Sequence, residues 1–167
     1  MPIQTTETIA MGDVIICDNR TRVFELPQLA SGLLVCLYDP GLPLLGLAHI
    51  VLPDSTIAAD SSEAVAGKYA DRAMPLLIQG FEDKSGSLER SVIKLVGGAQ
   101  LFSFGGGGGN ILNIGSRNAI AVRAFLSKYG LAVEKADVGG NKVRTVKIIL
   151  ATGQIMIQQI GAREYIL

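Results

Sequence analysis

One histidine and two cysteines are the side chains in this sequence that could combine in nucleophilic catalysis. His49 carries the only imidazole, and Cys17 and Cys36 carry the only thiols. A free thiol is mostly protonated at neutral pH, so a cysteine nucleophile needs a nearby base such as imidazole to accept its proton. Each of the three also lies in an apolar segment, where a neutral histidine or a reduced cysteine is often a plain core residue. Which interpretation holds depends on the elements that position them.

A predicted β-hairpin carries two of these residues. Residues 33–38 (LLVCLY) form a continuous apolar run, which is typical of a strand covered on both faces. Residues 39–41 (DPG) predict a turn. Residues 44–52 form a second apolar run, which a hairpin would place antiparallel to the first. Cys36 and His49 are therefore expected on neighbouring strands.

The remaining strands are predicted from short β-branched or alternating stretches. They cover residues 11–17, 23–26, 91–96, 131–136, 145–150 and 154–160. The links between most strands are of hairpin length, whereas a doubly wound parallel sheet needs long crossovers. The sequence therefore predicts an α+β fold, and its length of 167 residues fits a single domain spanning residues 1–167.

Two helices are predicted from apolar residues that recur at intervals of three and four. The first lies between residues 62 and 81 and is expected to kink at Pro75. Its apolar face comprises Ala70, Ala73, Met74, Leu77, Ile78 and Phe81. The second covers residues 117–129, with Ser116 as N-cap and Gly130 as the C′ residue. Its apolar stripe comprises Ala119, Val122, Leu126 and Tyr129.

Composition and charge limit the possible partners and cellular location. Fifteen basic residues balance fifteen acidic ones, so there is no net charge to attract nucleic acid or an acidic membrane surface. The N-terminal residues lack a signal-peptide pattern, and no run approaches ~18 uninterrupted apolar residues. These features predict a soluble cytoplasmic protein with reduced cysteines and a protein partner. The five glycines at residues 105–109 favour a mobile loop over a phosphate loop, because the flanking motif is missing.

A set of motifs spread over nearly the whole chain resembles the chemoreceptor glutamine deamidase family, CheD. The matching motifs are MGDVIICD (residues 11–18), VCLYDP (35–40), GLAHIVLPDS (46–55), KYADRAMPLLI (68–78), KLVGGAQLF (94–102), NIGSRN (113–118), DVGGNKVRTV (137–146) and ATGQIMI (151–157). They occur in the order in which the family has them. The set is far more specific than any one motif.

The resemblance implies a layered mixed β-sandwich flanked by helices and a cysteine hydrolase that converts receptor glutamines to glutamates. In that chemistry a thiolate attacks the side-chain amide, ammonia leaves, and water releases the acyl-enzyme. The implied partners are the cytoplasmic coiled coil of a chemoreceptor and a CheC-type phosphatase. Neither a metal nor an organic cofactor is implied.

The family's catalytic positions fall on His49, Gly32 and Leu26. The family's histidine, in a GxxHxxLP setting, corresponds to His49. The family's cysteine lies in a Gly-Ser-Cys segment, for which residues 30–32 read Ala-Ser-Gly, so Gly32 occupies the nucleophile position. The family's assisting threonine lies six residues earlier and corresponds to Leu26. Two of the three functional groups are therefore missing.

Cys36, Ser31 and Cys17 are the other candidate nucleophiles. Cys36 is four residues beyond position 32 on the same strand, about 13 Å away, which is too far to share His49. Ser31 should point to the opposite face, and Cys17 has only its thiol in its favour. The leading hypothesis is a non-catalytic CheD-like binding protein, and the competing one is an active deamidase that uses Cys36 or another nucleophile.

A partner-binding site is predicted near Gly97 and Gly98, which permit a close backbone approach. Phe102 follows them and is a candidate aromatic anchor for a protein partner. The alternative is that Phe102 belongs to the core.

Overall fold

The computed structural model describes residues 2–57, 63–101 and 113–167, which contain ten strands and two α-helices. Phe102 and the glycines at 105–109 lie outside these residues. In chain order the elements are β1 (Thr5–Thr8), β2 (Val14–Cys17), β3 (Arg22–Leu29), β4 (Leu33–Asp39), β5 (Leu44–Ile50), α1 (Ala70–Asp83), β6 (Val92–Gly97), α2 (Ile114–Lys128), β7 (Lys135–Val138), β8 (Arg144–Ile149), β9 (Gln154–Gln159) and β10 (Tyr165–Ile166). Two short 3₁₀ segments, Ser55–Ile57 and Glu63–Lys68, precede α1.

The described strands form two mixed sheets of five strands each. One sheet has the order β1-β3-β8-β9-β10, and the other has the order β2-β5-β4-β6-β7. Each contains one parallel pair, β1 with β3 and β6 with β7, among antiparallel neighbours. This arrangement confirms the predicted α+β class and the mixed β-sandwich that the family resemblance implies. The β6-to-β7 link is an exception to the predicted hairpin links, because it is a crossover that contains α2.

Strand β4 is buried on both faces, which explains its unbroken apolar run. Alternate residues of a strand point to opposite faces. Leu33, Val35 and Leu37 pack with the helices in one core, and Leu34 and Cys36 pack against the other sheet in a second core. The order of layers is therefore sheet, sheet, helices, and β4 lies at the centre.

The predicted hairpin is confirmed. β4 and β5 pair antiparallel, with Leu34 opposite His49 and Cys36 opposite Leu47. β5 ends at Ile50, slightly earlier than predicted, because the backbone N–H groups of Val51 and Leu52 both donate to the carbonyl of Lys68.

Both helices begin at residues other than those predicted. α1 starts at Ala70, because its N-cap residue Tyr69 has extended backbone (φ −108°, ψ 134°), and the preceding 3₁₀ segment is itself interrupted by a non-helical conformation at Val65 (φ −131°, ψ 35°). Helix α1 buries the predicted apolar face and continues through Pro75 as one element. The kink at Pro75 stays a prediction. α2 starts at Ile114, where Asn113 rather than Ser116 is the N-cap and its side chain accepts a hydrogen bond from the Ser116 N–H. Asparagine is as good an N-cap residue as serine. The prediction of Ser116 as N-cap is therefore wrong, because Asn113 caps the helix three residues earlier.

At the C-terminal end of α2 the predicted Gly130 cap is confirmed, whereas the predictions for Tyr129 and for the strand that follows are wrong. Gly130 has φ +66° and follows the C-cap residue, as predicted. Tyr129 is 52% exposed and stacks on Phe125 instead of joining the apolar stripe. The strand predicted at 131–136 begins at Lys135, because Leu131 and Val133 pack against the helix-side core without joining a ladder.

The sequence analysis missed the edge strands β1 and β10. β1 is TTET and fully exposed, and β10 has only two residues. Neither has the alternation of apolar residues on which a sequence prediction depends.

Candidate functional site

The site lies at the open end of the β4–β5 hairpin, where His49 contacts the chain at Gly32. His49 is on β5 opposite Leu34, so its side chain lies on the face toward the other sheet. The turn at residues 10–13 fixes its backbone: the His49 N–H donates to the carbonyl of Asp13, and the His49 carbonyl accepts from the Gly12 N–H. The imidazole is 7% exposed. Its position is therefore set by two strands and a turn.

Gly32 occupies the space beside the reactive nitrogen of His49. A Cβ atom placed on Gly32 with ideal geometry would lie 2.7 Å from His49 Nε2 and 3.2 Å from His49 Cδ2. The contact with Nε2 is tighter than real Cβ atoms show, so the outer atoms of the His49 side chain would have to shift, and the Ile50 carbonyl would lie 3.2 Å away. Any side chain at position 32 would therefore touch the imidazole directly.

Backbone hydrogen bonds hold the segment that contains Gly32. The carbonyl of Gly32 accepts from the Gly98 N–H, and the carbonyl of Ala30 accepts from the Ala99 N–H, both at 2.8 Å. Gly97 has φ +116°, and a Cβ there would run into the Gly32 carbonyl and Leu29. Glycine is required at that position because the two backbones lie in contact.

Asn118 is a second polar residue at this end of the hairpin. It is fully buried on α2, and its Nδ2 donates to the carbonyls of Ser31 and Val51, both at 3.0 Å. Within the part of the chain that the structure describes, no donor reaches its Oδ1. Asn118 is not among the residues predicted for the site, although an asparagine inside an apolar helical stripe is a signal in the sequence that points to it.

Burial keeps His49 neutral. Loss of solvent lowers the pKa of His49, while the backbone of Ala10 and the charge of Asp13 act in the opposite direction. Ala10 approaches the ring without meeting ordinary hydrogen-bond geometry, and His49 Nδ1 has no partner among the described residues. A neutral imidazole at neutral pH can accept a proton, which is the state that a general base requires.

The two thiols lie elsewhere. Cys36 faces the core between the sheets, opposite Leu47 and Lys94. It is 1% exposed, and burial raises the pKa of Cys36 to about 12. Cys17 is on β2 opposite Leu45. Neither cysteine is the cross-strand partner of His49.

Leu26 fills the threonine position with an apolar side chain. It is 3% exposed on β3, opposite Val146, and belongs to the core between the sheets. The strand bulges between Leu26 and Leu29, where Gln28 has φ +56°. Ser31 is half-buried, and its carbonyl accepts from Asn118.

The predicted partner-binding glycines are buried beside an open cleft. Gly97 and Gly98 contact neighbouring backbone, and Gly98 lines a cleft of about 320 Å³ next to α2. Ile120 also lines it and is 64% exposed. The role of Gly97, Gly98 and Phe102 in partner binding stays a prediction.

Arg144 is a buried cation that the sequence analysis did not single out. It is 3% exposed on β8 and crosses to the other sheet, where its guanidinium donates to Asp137 at 3.1 Å and to the Gly139 carbonyl at 2.8 Å. A longer bond of 3.4 Å reaches the Gly97 carbonyl. This residue joins the two sheets next to the segment that holds Gly32.

Nowhere in residues 2–57, 63–101 and 113–167 do three or more His, Cys, Asp or Glu side chains come together as a metal site would require. None of the helices in these ranges is long and apolar enough to cross a membrane.

Comparison with known proteins gives consistent matches. The family model described as CheD chemotactic sensory transduction matches residues 51–159, a range that begins after both Gly32 and His49. A probable chemoreceptor glutamine deamidase CheD of Symbiobacterium thermophilum is 32% identical over 159 residues, or 95% of each chain. The chemoreceptor glutamine deamidase CheD of Thermotoga maritima is 32% identical over 158 residues, or 95% of this chain and 94% of its own. A probable CheD of Desulforamulus reducens is 37% identical over 154 residues, or 92% and 90%.

Proposed function

This chain belongs to the CheD family of chemotaxis proteins, and we propose that it binds the cytoplasmic part of a chemoreceptor, or a CheC-type phosphatase, without deamidating glutamine. The relatives are named as deamidases of chemoreceptor glutamines, and receptor contact is carried over from those names. The alignments with these relatives span 95% of this chain, which favours a similar binding surface.

The observation that carries the non-catalytic assignment is the contact between Gly32 and His49. An ideal Cβ at position 32 would fall 2.7 Å from Nε2, so the ring would have to shift slightly and any side chain there would lie against it. A nucleophile at position 32 would therefore be next to this base. Glycine supplies no atom that could attack a carboxamide. Leu26, at the threonine position, supplies no hydroxyl either.

Deamidation through Cys36 has less support. A thiol with a pKa of about 12 is almost entirely protonated at neutral pH. Its side chain is also sealed in the core and faces Leu47 across the strand pair, not His49. A receptor glutamine would have to enter the interior of the sandwich to reach it.

The catalytic part of the proposal is tested by incubating the protein with a receptor cytoplasmic fragment and measuring glutamine-to-glutamate conversion by mass spectrometry. We expect no conversion by the natural chain. The double variant Leu26→Thr, Gly32→Cys should gain measurable conversion, because it returns a thiol and a hydroxyl to the family's positions. Leu26→Thr, Gly32→Ala is the matched control, since it adds the Cβ without sulfur. Conversion by the natural chain that disappears in Cys36→Ala would overturn the proposal.

The binding part of the proposal is tested at the cleft beside α2. Its lining includes Gly98, Asn113, Ser116, Ile120, Arg123 and Gly139. Exposed apolar residues that a partner covers contribute most to affinity. Titration calorimetry with the receptor fragment, and separately with a CheC-type phosphatase, should give a Kd for at least one partner.

A matched pair of surface variants locates the contact. Ile120→Asp should weaken binding at least about tenfold, or roughly 1.4 kcal/mol, because it places a charge on the cleft. Leu76→Asp introduces the same change on α1, where Leu76 is 50% exposed, and should leave the affinity unchanged. Equal effects of the two variants would remove the cleft as the binding site, and no affinity for either partner would remove the binding role.

A further inference from the structure

Asn118 has an environment that helix formation alone does not explain. Asparagine is a poor residue for a helix interior, yet Asn118 lies inside α2 and is fully buried. Burial of a carboxamide is costly unless it makes hydrogen bonds. Its Nδ2 makes two, to the carbonyls of Ser31 and Val51 at 3.0 Å each.

The two acceptors lie at matching points on the two strands of the site. Ser31 immediately precedes Gly32, and Val51 immediately follows Ile50. Leu33 and Ile50 are the last residues that pair directly in the β4–β5 ladder. The Asn118 carboxamide therefore bridges the strands just beyond the point where their own pairing ends.

The close approach of α2 to the strands makes this bridge possible. A Cβ on Gly115 would run into the carbonyls of Gly98 and Ala99, so the first turn of α2 packs directly on that segment. The same segment holds Gly32 and Ala30 through its N–H groups. The helix, the glycine segment and the ends of both strands thus form one hydrogen-bonded frame around position 32.

We propose that Asn118 is a positioning residue, whose carboxamide ties the start of β4 to the end of β5 and thereby keeps the His49 ring against position 32. The role is independent of any chemistry at the site. It holds whether the natural chain is a binding protein or a deamidase.

The single histidine makes the test direct, because all imidazole signals come from one residue. The ¹H and ¹⁵N resonances of His49 in the full chain report its tautomer and its titration midpoint. Asn118→Ala should raise the midpoint toward the ordinary histidine value and mix the two neutral tautomers, because the ring would become hydrated. Asp13 and the Ala10 backbone, which also act on the ring, are unchanged in this variant.

Asn113→Ala is the matched control on the same helix. It removes the N-cap hydrogen bond to Ser116 and should lower the melting temperature without changing the His49 titration. If Asn118→Ala lowers the melting temperature and leaves His49 unchanged, Asn118 has a structural role only and the proposal is wrong.

Two measurements decide the question if Asn118→Ala does not fold. Asn118→Ser keeps one shorter donor and should produce an intermediate shift of the His49 midpoint; no shift would contradict the proposal. In the natural chain, the side-chain NH₂ protons of Asn118 should exchange with solvent as slowly as core backbone amides. Fast exchange of both protons would show that the bridge does not persist in solution.

Discussion

The two ends of the β4–β5 hairpin both contain buried polar side chains, but only one end satisfies them fully. At the turn end, Asp39 is fully buried and accepts four hydrogen bonds, two from Arg90 and one each from the N–H groups of Gly41 and Ser87. At the open end, the described residues supply no partner for His49 Nδ1 or for Asn118 Oδ1.

We propose that this difference separates a structural polar cluster at the turn end from a functional one at the open end. Buried polar groups in native proteins are nearly always paired, and exceptions require an explanation. Asp39 has its full set of donors, so its role is to fix the turn. The open end instead places a titratable base beside position 32, and we propose that its role is functional.

Removal of the Asp39 charge should have the largest effect on stability. Asp39→Asn leaves two N–H donors and Arg90, whose side chain is 51% exposed, facing a neutral amide. Because only the carboxylate is buried, the loss should come mainly from the weakened hydrogen bonds to it, about 1–3 kcal/mol. Urea denaturation should show that loss as a lower midpoint, with an unchanged m-value. Glu7→Gln is the control, because Glu7 pairs with Arg22 at the surface, where ion pairs contribute little. Equal effects of the two substitutions would mean that the turn end is not a structural cluster.

The same carboxylate should make the protein sensitive to acid. Hydrogen bonds from Arg90 hold the pKa of Asp39 well below its usual range, although burial opposes them. A carboxyl with a lowered pKa in the folded state contributes stability that is fully present above its unfolded pKa, about pH 4, and is lost as pH falls further. Stability measured across that range should fall more steeply in the natural chain than in Asp39→Asn. Parallel curves would contradict this assignment.

A smaller pH effect is expected from the open end. Because burial lowers the pKa of His49, the unfolded chain binds the proton more readily, and stability should decrease as pH falls below about 6.5. His49→Gln should remove this component and leave the acid transition of Asp39 in place. If the natural chain and His49→Gln have the same pH dependence between about pH 5 and 7, the imidazole is solvated rather than buried.

The sequence predicted the central hairpin well because its signals are local. The unbroken apolar run of β4 and the turn at Asp39 can be seen without knowledge of the rest of the chain. The start of α2 could not be chosen with equal certainty, since Asn113 and Ser116 are both good caps. Edge strand β1 has only polar residues, so nothing in its pattern predicts that it pairs with β3.

The sequence identifies His49 and Gly32 as candidate site residues, but it does not show the contacts that hold them in place. The family resemblance pointed to His49 and Gly32, and the register of the hairpin then brought them together. The contributions of Asn118 and Gly115 depend on contacts between segments that are far apart in sequence. Such contacts leave no periodic signal, and only the folded chain shows them.

The most direct test of the central claim is the titration of a thiol introduced at position 32. If the site has lost its nucleophile but kept its geometry, the thiolate absorbance of Gly32→Cys should appear well below the usual cysteine pKa of about 8.5, because His49 can accept the proton. The low transition should be absent from Gly32→Cys, His49→Ala, and Cys36 should remain protonated in both variants. An ordinary cysteine titration in Gly32→Cys would contradict the claim that a base still faces position 32.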